Sequence, residues 1–242
     1  MYETDAIVLR SIRYGEADSV LTLLTRERGR VSAIAKGTRK AGSRLGGRLQ
    51  PGVRVHLGLA EGRGELHQVR QAHVTDANAG LWVEGYRLRA AGCVLESAMR
   101  VLIEHEPNEG AFNLVCRSLS ELAGAPPRTR PPRLDPIVLG TQCKLLVLAG
   151  LFPRLGGCIG CGAEGPLVGF SAPAGGALCP DCARAGEPLD PATLAALAGL
   201  VGRPLAEAAA VCPPEAEGGV ERVVGLVLRE HLGVVLRSAA PL

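Results

Sequence analysis

The hydrophobic pattern changes period once along this chain, and that change restricts the folds open to it. In the first eighty residues the apolar side chains come in short runs rich in Val, Ile, Leu and Thr, at 5–13, 18–25, 30–36, 53–60 and 65–74. Turn signals separate them at Tyr14-Gly15-Glu16, Glu27-Arg28-Gly29 and Glu61-Gly62-Arg63-Gly64. Five short strands with tight connections suit a small closed barrel. From Asn78 the spacing becomes helical. Leu81, Leu88, Leu95 and Leu102 recur at heptad spacing, which reads as one helical face. Phe112, Val115, Leu119 and Leu122 mark a second helix, opened near Asn108, a residue suited to capping free amides. Asp135-Pro136 and Asp190-Pro191 each supply a cap followed by a proline at the first helical position. The helices they open close near Gly150 and Gly202. A last helix over 217–237 packs through Val220, Val223, Val224, Val227 and Leu228. The expected class is α+β. A five-stranded barrel domain occupies residues 1–80 and a mostly helical domain 81–242, with a cysteine-bearing segment inserted at 156–187.

Between the third and fourth strands, residues 37–51 are rich in Gly and Arg and have no periodicity, which reads as an exposed loop. The loop sits within a concentration of charge. Residues 26–54 hold nine bases and one acid, a net +8, in a chain whose total is only +3. Such a field meets nucleic acids and anionic lipid surfaces before other polyanions. These bases do not lie along an amphipathic helix with an apolar face, so a membrane surface fits poorly. Nucleic acid fits better, because five-stranded barrels bind oligonucleotides across the face of strands two and three and the adjoining loops. Arg30 and Lys36 bracket strand three, while Arg39, Lys40, Arg44 and Arg48 lie in the loop beside it. Only Tyr2 and Tyr14 could serve this barrel as stacking rings, so phosphates should supply most of the grip.

Cys158, Cys161, Cys179 and Cys182 form C-x2-C-x17-C-x2-C, a spacing that suits one tetrahedral zinc ion. Four thiolates leave no coordination position for water, so the zinc is expected to be structural, folding a segment too small for its own core. Cys93, Cys116 and Cys143 fall in helical patterns and read as small buried apolar side chains. Gly160, Gly162 and Gly165 satisfy G-x-G-x-x-G, but the match overlaps the cysteine knuckle and lacks the flanking strand and helix of a dinucleotide site. No Walker cradle, H-E-x-x-H or G-x-S-x-G is present, and the carboxylates are dispersed. An enzyme is not expected. The N-terminus shows neither a basic leader nor an apolar core, and no apolar run approaches the ~18 residues of a bilayer span, so a cytoplasmic, nucleoid-associated protein is expected.

Asp5-Ala-Ile-Val-Leu-Arg10, then Tyr14-Gly15-Glu16 with Asp18, Leu24-Thr25 with Gly29, and Ala35-Lys36-Gly37 with Arg39 and Ser43 together resemble the N-terminal signature of the bacterial RecO family of recombination mediators. The likeness runs on through residues 46–51. Beyond Asn78 it rests on the cysteines and the order of helices. The resemblance implies an OB-fold barrel, binding of single- and double-stranded DNA, annealing of complementary strands, and assistance to RecA loading. It implies as partners RecR and the acidic C-terminal tail of the single-strand-binding protein. It matches the family's basic DNA-binding positions to Lys36, Arg39, Lys40 and Arg44. For the tail it offers only a region to inspect, near Arg128, Arg130 and Arg133. A competing reading is a zinc-ribbon adaptor whose basic loop meets an acidic protein surface without touching DNA.

Overall fold

Strands β1 (Tyr2–Tyr14), β2 (Asp18–Thr25), β3 (Gly29–Ala35), β4 (Arg54–Ala60) and β5 (Leu66–Asp76) close into a barrel in the order β1-β2-β3-β5-β4, with β4 returning to β1. Every pair is antiparallel except β3–β5. The computed structural model describes residues 1–43, 45–62, 64, 66–126 and 134–236. It divides into two compact units, Met1–Ala125 and Pro126–Leu242.

Alternation of inward and outward side chains explains much of the barrel. Leu21 and Leu23 on β2, Val31 and Ala33 on β3, and Val55 and Leu57 on β4 all point inward and are buried. Between them Val20, Thr22, Ser32 and Ile34 point outward. A bulge between Val8 and Arg10 bends β1 as it crosses from β4 to β2. Gly29 is required in the β2–β3 turn. Its φ is +65°, and a Cβ there would lie 2.1 Å from the carbonyl oxygen of Glu106.

Helices α1 (Gly85–Val101) and α2 (Glu109–Gly124) belong to the first unit, so the change of period at Asn78 falls inside it. Asn108 caps α2, its Oδ1 accepting from the Ala111 amide at 2.8 Å, and Phe112, Val115, Leu119 and Leu122 are fully buried. The heptad of leucines does not form one face. Leu81 lies in a 3-10 turn, Ala79–Trp82, and α1 starts only at Gly85. The break at Val83-Glu84 resets the helical phase, leaving Leu88 43% exposed while Val94, Leu95 and Ala98 face the core. Arg87 ties these pieces together. Buried at 6% exposure, it donates to the carbonyls of Gly80, Ala123 and Ala125 and pairs with Glu84 at 3.0 Å.

In the second unit, α3 (Pro136–Leu148), α4 (Pro191–Gly202), α5 (Ala208–Val211) and α6 (Pro214–Leu232) pack together. Asp135 and Asp190 cap α3 and α4 through the amides of Ile137 and Thr193. α6 stops at Gly233, whose φ of +63° ends the helix before residue 237, which lies outside the described residues. Between α3 and α4 the chain forms a small sheet, β7-β6-β8, from β6 (Gly169–Ser171), β7 (Gly176–Leu178) and β8 (Glu187–Pro188). Strands of two or three residues are too short to show a period. Cys93, Cys143 and Cys212 are buried, and burial pushes the thiol of Cys143 up to about 12 and that of Cys212 to about 11. Among the described residues no helix is long and apolar enough to cross a membrane.

Candidate nucleic-acid interface and metal centre

Eight of the nine bases of residues 26–54 lie among the described residues, and they separate into two groups by their partners. Arg26 pairs with Glu109 at 2.7 Å, Arg28 with Glu61 at 2.8 Å, Arg30 with Glu104 at 3.2 Å, and Arg54 with Asp5 at 3.4 Å. Arg26 and Arg54 also lie over the Phe112 ring, and Arg28 covers Tyr2 at 3.8 Å from its centroid. Two of these contacts, with the amide of His105 donating to the Arg30 carbonyl, hold the α1–α2 connection against the start of β3.

Lys36, Arg39, Lys40 and Arg48 are different. Each is exposed, and among the described residues none has a carboxylate within ion-pairing distance. Lys36 follows β3 directly, six residues from Arg30, so the two lie ~20 Å apart at opposite ends of the strand. Of the sequence-predicted residues, Lys36, Arg39 and Lys40 follow one end of β3, Arg48 is tied to β5 through the Ala72 carbonyl, and Arg30 lies at the other end of β3. Arg44, Arg128, Arg130 and Arg133 lie outside the described residues.

The exposed group is held on an anchored loop. The amide of Gly37 donates to Asp18 Oδ1 at 2.8 Å, that of Arg39 donates to the Ala17 carbonyl at 2.9 Å, and the buried hydroxyls of Ser19 and Thr38 meet at 2.8 Å. Leu49, only 2% exposed, enters the barrel core, and Arg48 Nη1 donates to the Ala72 carbonyl at 3.0 Å. Leu49 is the residue the sequence reading lacked. Its one signal was an isolated leucine in a polar loop, four residues after Leu45.

A separate row crosses β1 and β4 on the outer surface. His56 Nδ1 lies 2.9 Å from Asp5 Oδ1, and its Nε2 is 3.6 Å from Glu3. The hydrogen bond from His56, with Arg54 beside it, lowers the Asp5 carboxyl below its ordinary value. The same bond raises the imidazole of His56.

The sulfurs of Cys158, Cys161, Cys179 and Cys182 all lie within 4.8 Å of one another. The Cys161 and Cys179 sulfurs are 3.7 Å apart. Ligands at the usual zinc–sulfur length would be separated by about 3.8 Å along a tetrahedral edge, so the cluster can hold a tetrahedral metal ion. The first knuckle closes through the amides of Gly162 and Cys158, which donate to the carbonyls of Cys158 and Ala163, and the second through Cys182 and Ala183, which both donate to the Cys179 carbonyl. Gly162 turns with φ +79°. Backbone amides of Cys179, Cys161 and Gly160 point at the Cys158 sulfur and hold its pKa near about 6. The neighbouring sulfurs, Cys179 first, push Cys182 up to about 12. Backbone amides thus favour the thiolate of Cys158 while the neighbouring sulfurs oppose that of Cys182, a set of donors that could hold a metal ion.

The family model described as Recombination protein O N terminal matches residues 1–78, and that described as Recombination protein O C terminal matches residues 84–240. The chain belongs to the RecO family. Its relatives include two proteins called DNA repair protein RecO. The one from Anaeromyxobacter sp. is 37% identical over 94% of this chain and 90% of its own length. The one from Rubrobacter xylanophilus is 38% identical over 100% of this chain and 95% of its own. The RecO N-terminal match covers the barrel, and the RecO C-terminal match covers α1 to α6 and the cysteine cluster. The coarse function follows: this is a DNA-repair family.

Proposed function

We propose that this chain is a recombination mediator that holds single- and double-stranded DNA through phosphates at Lys36, Arg39, Lys40 and Arg48, with Arg44 in the same loop. It anneals complementary strands without catalytic turnover and, with RecR, assists RecA loading onto DNA coated by the single-strand-binding protein, whose acidic tail it contacts. It works in the cytoplasm at the nucleoid. The observation that supports this reading is the division of the basic segment: one group is engaged in internal ion pairs, and the other is exposed and, among the described residues, has no carboxylate partner. A protein that neutralises phosphates while leaving most base edges uncovered brings two strands together with their pairing faces free. The four cysteines suit one structural zinc ion, whose chemistry here is to cross-link two knuckles.

The test is a salt titration of binding to single-stranded and duplex oligonucleotides beside a strand-annealing assay. Four phosphate contacts give a slope of log K against log salt of about −3 for single strands. A Lys36→Glu/Arg39→Glu protein should lose annealing. Undiminished annealing, or no DNA affinity at low ionic strength, would overturn the reading, and the second result would favour an adaptor whose basic loop meets an acidic protein.

A further inference from the structure

Outward positions of a solvent-facing barrel are ordinarily polar, and on β1, β2 and β3 several are not. The register sets Ile12 opposite Val20 and Val20 opposite Ile34, so three apolar side chains cross the sheet in one row. Ile12 is 46% exposed, and Val20 and Ile34 are half-buried. Tyr14 lies two residues beyond Ile12 on the same side of β1, paired with Asp18 and 59% exposed. The barrel's other tyrosine is already occupied: Tyr2 has the Arg28 guanidinium on its face and the edge of His67 at 5.6 Å between centroids. Among the described residues no ring or guanidinium stacks on Tyr14.

Cations flank this strip on both sides. Arg10, exposed, starts the neighbouring row opposite Thr22. Beyond Tyr14, Arg39 Nη1 donates to the Gly15 carbonyl at 3.1 Å, one residue along the chain from the ring, and Lys36 follows β3. Asp18, opposite Tyr14, is engaged by the amide of Gly37, and Glu16 lies exposed in the turn beyond it. A flat apolar surface between positive charges fits a ligand with planar apolar faces and a polyanionic backbone. Unpaired nucleobases have such faces available, whereas a duplex stacks them against each other.

We infer that the outer face of β1–β2–β3 is a base platform for single-stranded nucleic acid, with Tyr14 as the stacking ring and Ile12, Val20 and Ile34 as its floor. The inference rests on the DNA-binding reading above and adds to it a means of telling single from double strands. The phosphate contacts of the loop serve both forms, while the ring serves only the unpaired one. A single platform holds few bases at a time, which leaves the rest of the strand open to pairing.

The test compares the full-length wild type, Tyr14→Ala and Tyr14→Phe for binding to labelled oligothymidylate and to a mixed-sequence duplex of equal length, across a range of salt. Tyr14→Ala should weaken oligothymidylate binding by roughly five- to hundred-fold, with duplex affinity and both salt slopes unchanged. Tyr14→Phe, which keeps the ring, should bind as wild type. Equal affinity of Tyr14→Ala and wild type for oligothymidylate overturns the platform while leaving the phosphate reading intact. Parallel loss on both ligands also overturns it, because the ring would then serve the fold. Wild-type protein that binds neither ligand at low salt overturns the parent reading and the platform together.

Discussion

Arg30 and the trio Lys36, Arg39 and Lys40 carry the same charge in the same segment, yet only Arg30 has a carboxylate partner among the described residues, and on the proposed reading substitution should separate the two. The Arg30 side chain is 21% exposed, and its partner Glu104, 3.2 Å away, is 45% exposed. A pair so open to solvent contributes about 1 kcal/mol or less. Arg30 Nε is in addition buried with no hydrogen-bond partner, which lowers the net value of the side chain. Arg30→Ala should therefore cost no more than about 1 kcal/mol of first-unit stability and leave the salt dependence of DNA binding alone. A Lys36→Ala/Arg39→Ala/Lys40→Ala protein should do the reverse. With three phosphate contacts gone, the single-strand slope should fall by about 2, and stability should hold. Trp82, the chain's single tryptophan, lies in the first unit and reports its urea unfolding by fluorescence. A slope reduced by about 0.7 in Arg30→Ala would show that this guanidinium meets a phosphate and would refute the division.

Replacing Arg87 by Met keeps the bulk but leaves three half-buried carbonyls and Glu84 without their partner, so about 1.5–3 kcal/mol should be lost in the same urea assay; a loss below about 0.5 kcal/mol would mean that water replaces the guanidinium. Purified wild type should contain one zinc per chain, and Cys158→Ser should lose the metal together with the native far-ultraviolet spectrum of the second unit; a metal-free chain that still unfolds cooperatively there would refute a structural ion. The Asp5–His56 bond gives stability a pH dependence of known sign. The raised imidazole contributes fully below its unfolded value of about 6.5 and loses the contribution as pH rises through its folded value, while the lowered Asp5 carboxyl contributes above about 3.9 and loses it as pH falls through its folded value. His56→Gln should flatten the decline of Tm above neutrality. Burial depresses His67 and acts in the opposite sense, so only the difference between wild type and variant is diagnostic. An unaltered Tm profile in His56→Gln would refute the assignment.

Features encoded locally were legible in the sequence. The turn glycines adopt positive φ at Gly15 and Gly29, the caps at Asn108, Asp135 and Asp190 open α2, α3 and α4, and the cysteine pairs meet at the spacing that tetrahedral geometry demands. What depended on distant partners was not. Nothing near Arg26 announces that Glu109, 83 residues later, will meet it, so a solvated base and a paired one look alike in one dimension. The leucine heptad from Leu81 misled for a related reason, since counting residues assumes an unbroken helix and the 3-10 turn interrupts it. Leu49 escaped notice because two leucines in a polar loop, it and Leu45, are too few to show a period.

Closure of the barrel by its one parallel pair has a consequence during synthesis. β3 finds its second neighbour only at Leu66, His67 and Gln68, residues made well after Ser32, Ala33 and Ile34 have left the ribosome. In that interval the β1–β2–β3 meander presents a bare row of amides and carbonyls that any passing strand could copy. The segment that follows directly, carrying Lys36, Arg39 and Lys40, gives each nascent chain a like charge beside its open edge. Two such chains on one polysome repel each other where they would otherwise zip together.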